Sequence, residues 1–173
     1  AHKGWAWQSI NPEKCFLPDD FDDFYLHHWT LNEVSTKSMP GITLALHPFC
    51  GILGVQRSQK GSFRTRPPGD FGGNMDVKQM VVGTTLLLPC FIDGCGLFVG
   101  DVHYAQGDGE VAGTAIETGA KVTVRTEVRK GMASIIKRGP HFEGGSQLKS
   151  LEPDKFYATV GYPTKEAGEI PPY

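Results

Sequence analysis

The chain has 173 residues, a formal net charge of −2, 39% hydrophobic and 21% charged side chains. That is the profile of one soluble globular domain with a core of its own. It gives no support for a nucleic-acid-binding or anionic-membrane surface, and no apolar run approaches the roughly 20 residues that span a bilayer. Twenty-two glycines and twelve prolines cut the sequence into short segments. "PDDFDDFYLHHWT" places a proline and acids ahead of aromatics, the start of a short helix. "ITLALHPFCGILGV" reads as strand, turn, strand. "RSQKGSFRTRPPGDFGG" is a polar loop that leads into "GGNMD". "TTLLLPCFIDGCGLFVGDVHY" reads as a hairpin about Asp93-Gly94, with Pro89 marking a bulge or an edge. "KVTVRTEVRKG" is the clearest strand: Val122, Val124, Thr126 and Val128 alternate with Thr123, Arg125, Glu127 and Arg129, the pattern of a half-buried strand. "MASIIK" is a turn of helix and "KFYATVGYP" a last short strand. The expectation is a single, mainly β domain, sandwich- or barrel-like with short helices.

Cys15, Cys50, Cys90 and Cys95 are expected as reduced thiols in a cytoplasmic protein, because the chain is too large to depend on staples and no export signal is visible. Cys90 and Cys95 lack zinc-knuckle spacing and are expected to pack. The chain starts on Ala1 and stops on "EIPPY", which reads as a piece of a longer polypeptide.

The residues that suggest chemistry gather in "VGDVHYAQGDGEVAGTAIE", Val99 to Glu117. Asp101 and His103 stand two apart at the end of an apolar strand, so they share a face and suit one metal ion. Gly107 and Gly109 flank Asp108, which lets Gln106 and Glu110 turn toward the same place. The alternative is a hairpin turn with solvated acids. Glu117 lies an odd number of residues from Glu110, so a bulge at Gly113 is needed to bring both to one face. "GGNMD" adds Asn74 and Asp76 as oxygen donors for a metal or a substrate amide, or else a simple Asx turn. His47, His27 and His28 read as structural, and His2 and His141 as loop residues.

Together these segments resemble the acetamidase/formamidase family. The pattern is a GGN-x-D loop (Gly72, Gly73, Asn74, Asp76), a strand ending G-D-x-H (Gly100, Asp101, His103), then Q-G-D-G-E (Gln106 to Glu110) and A-x-E (Ala115, Glu117). The match is good over about residues 40 to 130 and loose outside them. The resemblance implies hydrolysis of short amides by a cytoplasmic homo-oligomer with a mostly β fold. Family members are longer, so further segments of the same precursor are expected as partners.

Amide hydrolysis needs an activated water, a stabiliser for the oxyanion and an acid for the leaving nitrogen. The expected roles are a divalent metal, zinc by its imidazole ligand, on Asp76, Asp101 and His103. Glu110, with Asp108 and Glu117, is expected to carry the proton chemistry, and Asn74 and Gln106 to bind the substrate amide. A metal-free route would use Glu110 and backbone NH groups. Two other classes stay open. One is a glycoside-type hydrolase using Asp108 and Glu110, whose spacing is too short for it. The other is a non-catalytic β domain that binds a metal or partner.

Overall fold

A computed structural model describes residues 2–8, 25–136, 139–145 and 154–160. Eleven strands are formed among them: β1 (His2–Gln8), β2 (Tyr25–Leu31), β3 (Ser35–Met39), β4 (Ile42–Ala45), β5 (Phe49–Val55), β6 (Gly72–Asn74), β7 (Thr85–Leu87), β8 (Leu97–His103), β9 (Glu117–Thr118), β10 (His141–Gly144) and β11 (Phe156–Thr159). The fold is mainly β and its paired strands are antiparallel. A six-stranded sheet has the order β2-β1-β9-β8-β5-β6, a three-stranded sheet β11-β10-β7, and β3-β4 form a hairpin. Among the described residues no helix is long and apolar enough to cross a membrane.

Trp29, Leu31, Leu46 and Ile116 form the buried cluster, with Met39 and Leu44 of the β3-β4 hairpin packed against it. Alternate residues of β2 point inward, as period-2 geometry requires. Thr36 is fully buried and donates its hydroxyl to the Thr30 carbonyl at 2.8 Å, so its polar atom is satisfied.

Several local expectations change. The helix read from Pro18 onward is strand β2 from Tyr25, while its earlier residues fall outside the described ones. The β-branched and aromatic residues there pair with β1 over seven positions, and that tertiary pairing overrides the acid-rich start. The turn at Asp93-Gly94 forms, with Cys95 N–H donating to the Ile92 carbonyl, but no hairpin follows. β7 pairs with β10, and β8 pairs with β5 and β9. Pro89 lies just past β7, at the edge of its sheet, where no ladder donor is needed. Cys90 and Cys95 are joined in a disulfide, not packed as reduced thiols. The tight turn brings their Cα atoms to 4.7 Å, within bridging reach. His2 and His141 lie on strands, not loops, and His141 Nδ1 is hydrogen-bonded to the Tyr157 hydroxyl across the β10-β11 pair. Of "MASIIK", residues 132–136 make a single turn, in which Ile136 N–H donates to the Met132 carbonyl, and Lys137 lies outside the described residues.

The largest departure is "KVTVRTEVRKG". Residues 121–130 belong to no ladder among the described residues, and all are exposed.

Candidate active site

The β-sheet register brings the site together. β5 and β8 pair from Phe49↔His103 to Val55↔Leu97. β9 lies on the other side of β8 and sets Glu117 directly opposite His103. β6 runs beside β5, with Asn74 opposite Ile52. Just past β6, the Met75 and Asp76 N–H groups both donate to the Gly51 carbonyl, at 3.0 and 3.2 Å. Asp76 is thereby fixed over the middle of β5. Gly51 itself falls between the Cys50↔Val102 and Ile52↔Gly100 pairs, across from Asp101.

Asp76, Asp101 and His103 present ligand atoms within 4.8 Å of one another, and so do His103, Glu110 and Glu117. His103 belongs to both sets and is 1% exposed. The expected Asp101/His103 partnership therefore forms, though not by simple strand alternation. Asp101 has φ 55°, Asp76 φ 49° and Glu110 φ 44°. Only one other non-glycine residue among those described has positive φ, Cys95. Left-handed backbone costs a non-glycine residue energy and is found where the surroundings impose it. Here it falls on three carboxylates of one cluster.

Glu110 and Glu117 reach a common point without a strand bulge. Asp108–Glu110 forms a 3₁₀ turn, and Gly113, at φ 70°, donates its N–H to the Glu110 carbonyl to close the next turn. The chain reverses between the two glutamates, so strand parity never applies.

The hydrogen bonds give each group a place. Gln106 Oε1 lies 2.8 Å from His103 Nδ1, and Gln106 Nε2 donates to the Asp76 carbonyl at 2.6 Å. An amide oxygen only accepts, so Nδ1 carries the proton and Nε2 faces the carboxylates. Nε2 lies 3.4 Å from an Asp101 oxygen and 3.3 Å from a Glu117 oxygen. Neither contact has hydrogen-bond geometry, and Nε2 and Asp76 Oδ1 are both buried without a hydrogen-bond partner. The other Glu117 oxygen accepts from the Ala115 N–H at 3.0 Å and the Thr114 hydroxyl at 3.3 Å.

The electrostatics are those of several acids around one base. Burial pulls the His103 pKa down, but the Glu117 and Asp101 carboxylates outweigh it and raise it to about 9. Glu117 is pushed up by burial and pulled down further by His103 and the Ala115 N–H, so it lies below its ordinary value. Burial raises Asp101 and Asp76. Burial and the charge of Asp76 raise Glu110 to about 7.

Asp108 and Asn74 stand apart from this cluster. Asp108 is exposed and forms an ion pair with Lys78 Nζ at 2.8 Å, which ties the Asp76 loop to the Glu110 turn. Asn74 ends β6, half-buried. A cavity of about 680 Å³ lies beyond Gln106, between β2 and the β3-β4 hairpin, walled by Trp29, Met39, Leu44 and Ile116. Gln106, and Thr114 and Ala115 that hold Glu117, line both the cavity and the edge of the cluster.

Sequence reading missed Gly51 and Lys78. A Cβ on Gly51 would sit 2.7 Å from Asp76 Oδ1, 2.7 Å from His103 Cε1 and 3.0 Å from Asp101 Oδ2. The glycine leaves the space into which three site residues converge. A glycine inside an apolar strand is the signal that was available, since it marks close approach by another group. Lys78 gave no such signal, because its partner lies thirty residues away.

A sequence model of the Acetamidase/Formamidase family matches residues 55–171. The chain belongs to that family. A Schizosaccharomyces pombe protein named as a formamidase is 28% identical over 145 residues, covering 80% of this chain and 35% of that protein. A Mycolicibacterium smegmatis acetamidase is 41% identical over 97 residues, 51% of this chain and 24% of that one. Among solved structures, an acetamidase/formamidase from Thermoanaerobacter tengcongensis superposes with TM-score 0.72 at 27% identity, covering 83% of this chain and 46% of the other. A γ-lactamase from Delftia acidovorans gives TM-score 0.68 at 25% identity, over 83% and 48% of the two chains. The chain thus spans less than half the length of these relatives.

Proposed function

We propose that this chain carries the hydrolytic site of a short-chain amidase, which splits formamide- or acetamide-type substrates into ammonia and a carboxylate. The observation that carries the reading is the buried, unpartnered His103 Nε2, which faces the Asp101 and Glu117 carboxylates at 3.4 and 3.3 Å over the side-chain-free Gly51. Ligands that share a tetrahedral zinc at bond lengths of about 2.0–2.1 Å lie roughly 3.3 Å apart. The donor set of one imidazole and several carboxylate oxygens suits the same ion. Asp76, Asp101 and His103 would hold it, with Glu117 beside them. When bound, such an ion supplies Lewis acidity, polarising a carbonyl and acidifying water.

The chain's own groups do the proton work. Glu110, raised to about 7 by burial and by Asp76, is poised near neutral pH, where a general acid–base group is most effective. It takes a proton from the attacking water as the new C–O bond forms. It returns that proton to nitrogen as the C–N bond breaks and ammonia leaves. Gln106 holds His103 and Asp76 in place, and Asn74 is the remaining carboxamide for the substrate amide. Asp108, paired to Lys78 at the surface, is given no chemical step. The names of the S. pombe, M. smegmatis and Methylophilus methylotrophus relatives, formamidase and acetamidase, support the substrate class.

The reading includes self-association into a homo-oligomer and a cytoplasmic location. A reducing cytoplasm would hold Cys90 and Cys95 as open thiols, and thiol counting on freshly lysed cells tests that part.

The test is ammonia release from formamide and acetamide, with and without a chelator. Activity is expected to fall on verified metal removal and to return with zinc. Glu110→Gln is expected to lower turnover at least about 100-fold with the fold intact. Unchanged activity after metal removal would sink the metal role, and near-wild-type turnover in Glu110→Gln would remove Glu110 from the proton step. Zinc binding with no turnover from either amide would leave a metal-binding β domain.

A further inference from the structure

Glu110 is carried by a turn with little packing to hold it. Three of the seven residues from Gly107 to Gly113 are glycine. The 3₁₀ turn Asp108–Glu110 buries no residue and has no side-chain cap, and Val111 after it is 84% exposed. Yet Glu110 holds φ 44°, a backbone state that the surroundings must impose.

The segment facing it is the opposite. Residues 75–81 are fastened to β5 at both ends, by the Met75 and Asp76 N–H groups on the Gly51 carbonyl and by the bridge of Val81 with Phe49. Lys78 lies midway, in a turn closed by the Met80 N–H on the Val77 carbonyl at 2.9 Å. Its side chain is 15% exposed, against 76% for Asp108, and its Nζ donates to Asp108 Oδ2 at 2.8 Å. Lys78 stands two residues after Asp76, and Asp108 two residues before Glu110. The ion pair therefore bridges the same two segments as the site carboxylates. Gln106 Nε2 on the Asp76 carbonyl joins them again just ahead of the turn. An ion pair with one partner in solvent contributes little to global stability. What it can fix is position, and misplacing a reacting group by about 1 Å can cost roughly 100-fold in rate.

We propose that Lys78 and Asp108 are a positioning pair, through which the β5-anchored segment fixes the Glu110 carboxylate beside His103 and Glu117. It rests on the hydrolytic reading above and adds to it two residues that act through the backbone of the turn. No proton passes through either.

The test is a double-variant cycle on formamide turnover by the full chain. Lys78→Met and Asp108→Asn are each expected to lower kcat about tenfold, the scale of one hydrogen bond to a charged group. KM should stay within about twofold, because the lost contact acts on the chemical step. The double variant should fall no further than either single one. Lys78→Arg, which keeps a charged donor, should recover most of the loss. A second readout needs no turnover: exchange of the Gly113 N–H, which closes the turn on the Glu110 carbonyl, should quicken about tenfold in Lys78→Met while β8 amides keep their rates. Unchanged kcat in Lys78→Met, or losses that add in the double variant, would overturn the pair and leave hydrolysis standing. A wild-type chain that turns over neither formamide nor acetamide would overturn the hydrolytic reading instead. The exchange measurement then decides whether the pair fastens the turn, and an unchanged Gly113 rate would overturn that too.

Discussion

Residues 97–118 and residues 121–130 follow one another in the chain and end up in opposite conditions. The first contains β8, which has a partner on each side, and its polar residues converge on a buried imidazole. The second has the cleaner alternation of valine with charged residues, and no strand partner among the described residues. Alternation therefore records what a segment's side chains require, one dry face and one wet face. It does not say that the same chain supplies the dry face. The candidate-site segment, by contrast, is irregular by any strand template: glycines, a 3₁₀ turn and carboxylates at positive φ. Its order comes from the register of β8 with β5 and β9.

The sharpest way to break that contrast is at Gly51. Gly51→Ala sets a methyl group within 2.7 Å of Asp76 and His103. We expect zinc affinity, read by competition with a chromogenic chelator, to fall at least about 100-fold while circular dichroism is kept, the upper range for disturbing groups that orient metal ligands. Retained affinity would show that the three residues do not converge on a common ion.

A smaller loss is expected at Gln106. Gln106→Ala removes the acceptor that holds the proton on His103 Nδ1 and the donor to the Asp76 carbonyl. Zinc affinity should drop roughly tenfold. Gln106→Glu, which keeps an acceptor, should recover most of it.

Acidity sharpens the contrast in the metal-free chain. His103 is raised from an ordinary 6.5 to about 9. Its folded form therefore holds a proton that the unfolded chain has lost between those values. That stabilisation is complete below pH 6.5 and disappears as pH rises through about 9. The urea midpoint of the metal-free protein should fall between pH 6.5 and 9, and His103→Asn should flatten that slope. Glu117 runs the other way: its stabilisation is present above its ordinary value of 4.5 and is lost on acidification.

The mainly β class was legible in the sequence, and so was the group of polar residues that the register gathers, each for a physical reason. Asp76, Asp101, His103, Glu110 and Glu117 stand out in the sequence because residue types suited to metal and proton chemistry are dense there and spaced by glycines, and the structure brings their side chains close together. The route by which Glu110 and Glu117 meet was misread, since a chain reversal at Gly113 makes strand parity irrelevant. Strand existence was legible at β4, β5, β8 and β11, where β-branched and aromatic residues cluster. Pairing was not, because β7 and β8, adjacent in sequence, go to different sheets. The Cys90–Cys95 disulfide was missed because spacing and compartment were weighed without the turn that brings the two residues together.

The least expected effect is the most direct check on the second region. In dilute solution, where the chain is alone, Val128→Lys changes a side chain that is 73% exposed and leaves no cavity. Its cost to stability should stay within about 0.5 kcal/mol, the range of ordinary surface substitutions. Leu87→Ala, at a position 8% exposed and paired with His141 of β10, should cost about 2–5 kcal/mol by transfer and cavity terms. Denaturant titrations of the two variants compare them. If Val128→Lys proved as costly as Leu87→Ala, the segment would have to be buried by this chain itself, and neither a second copy nor further polypeptide would be needed to cover it.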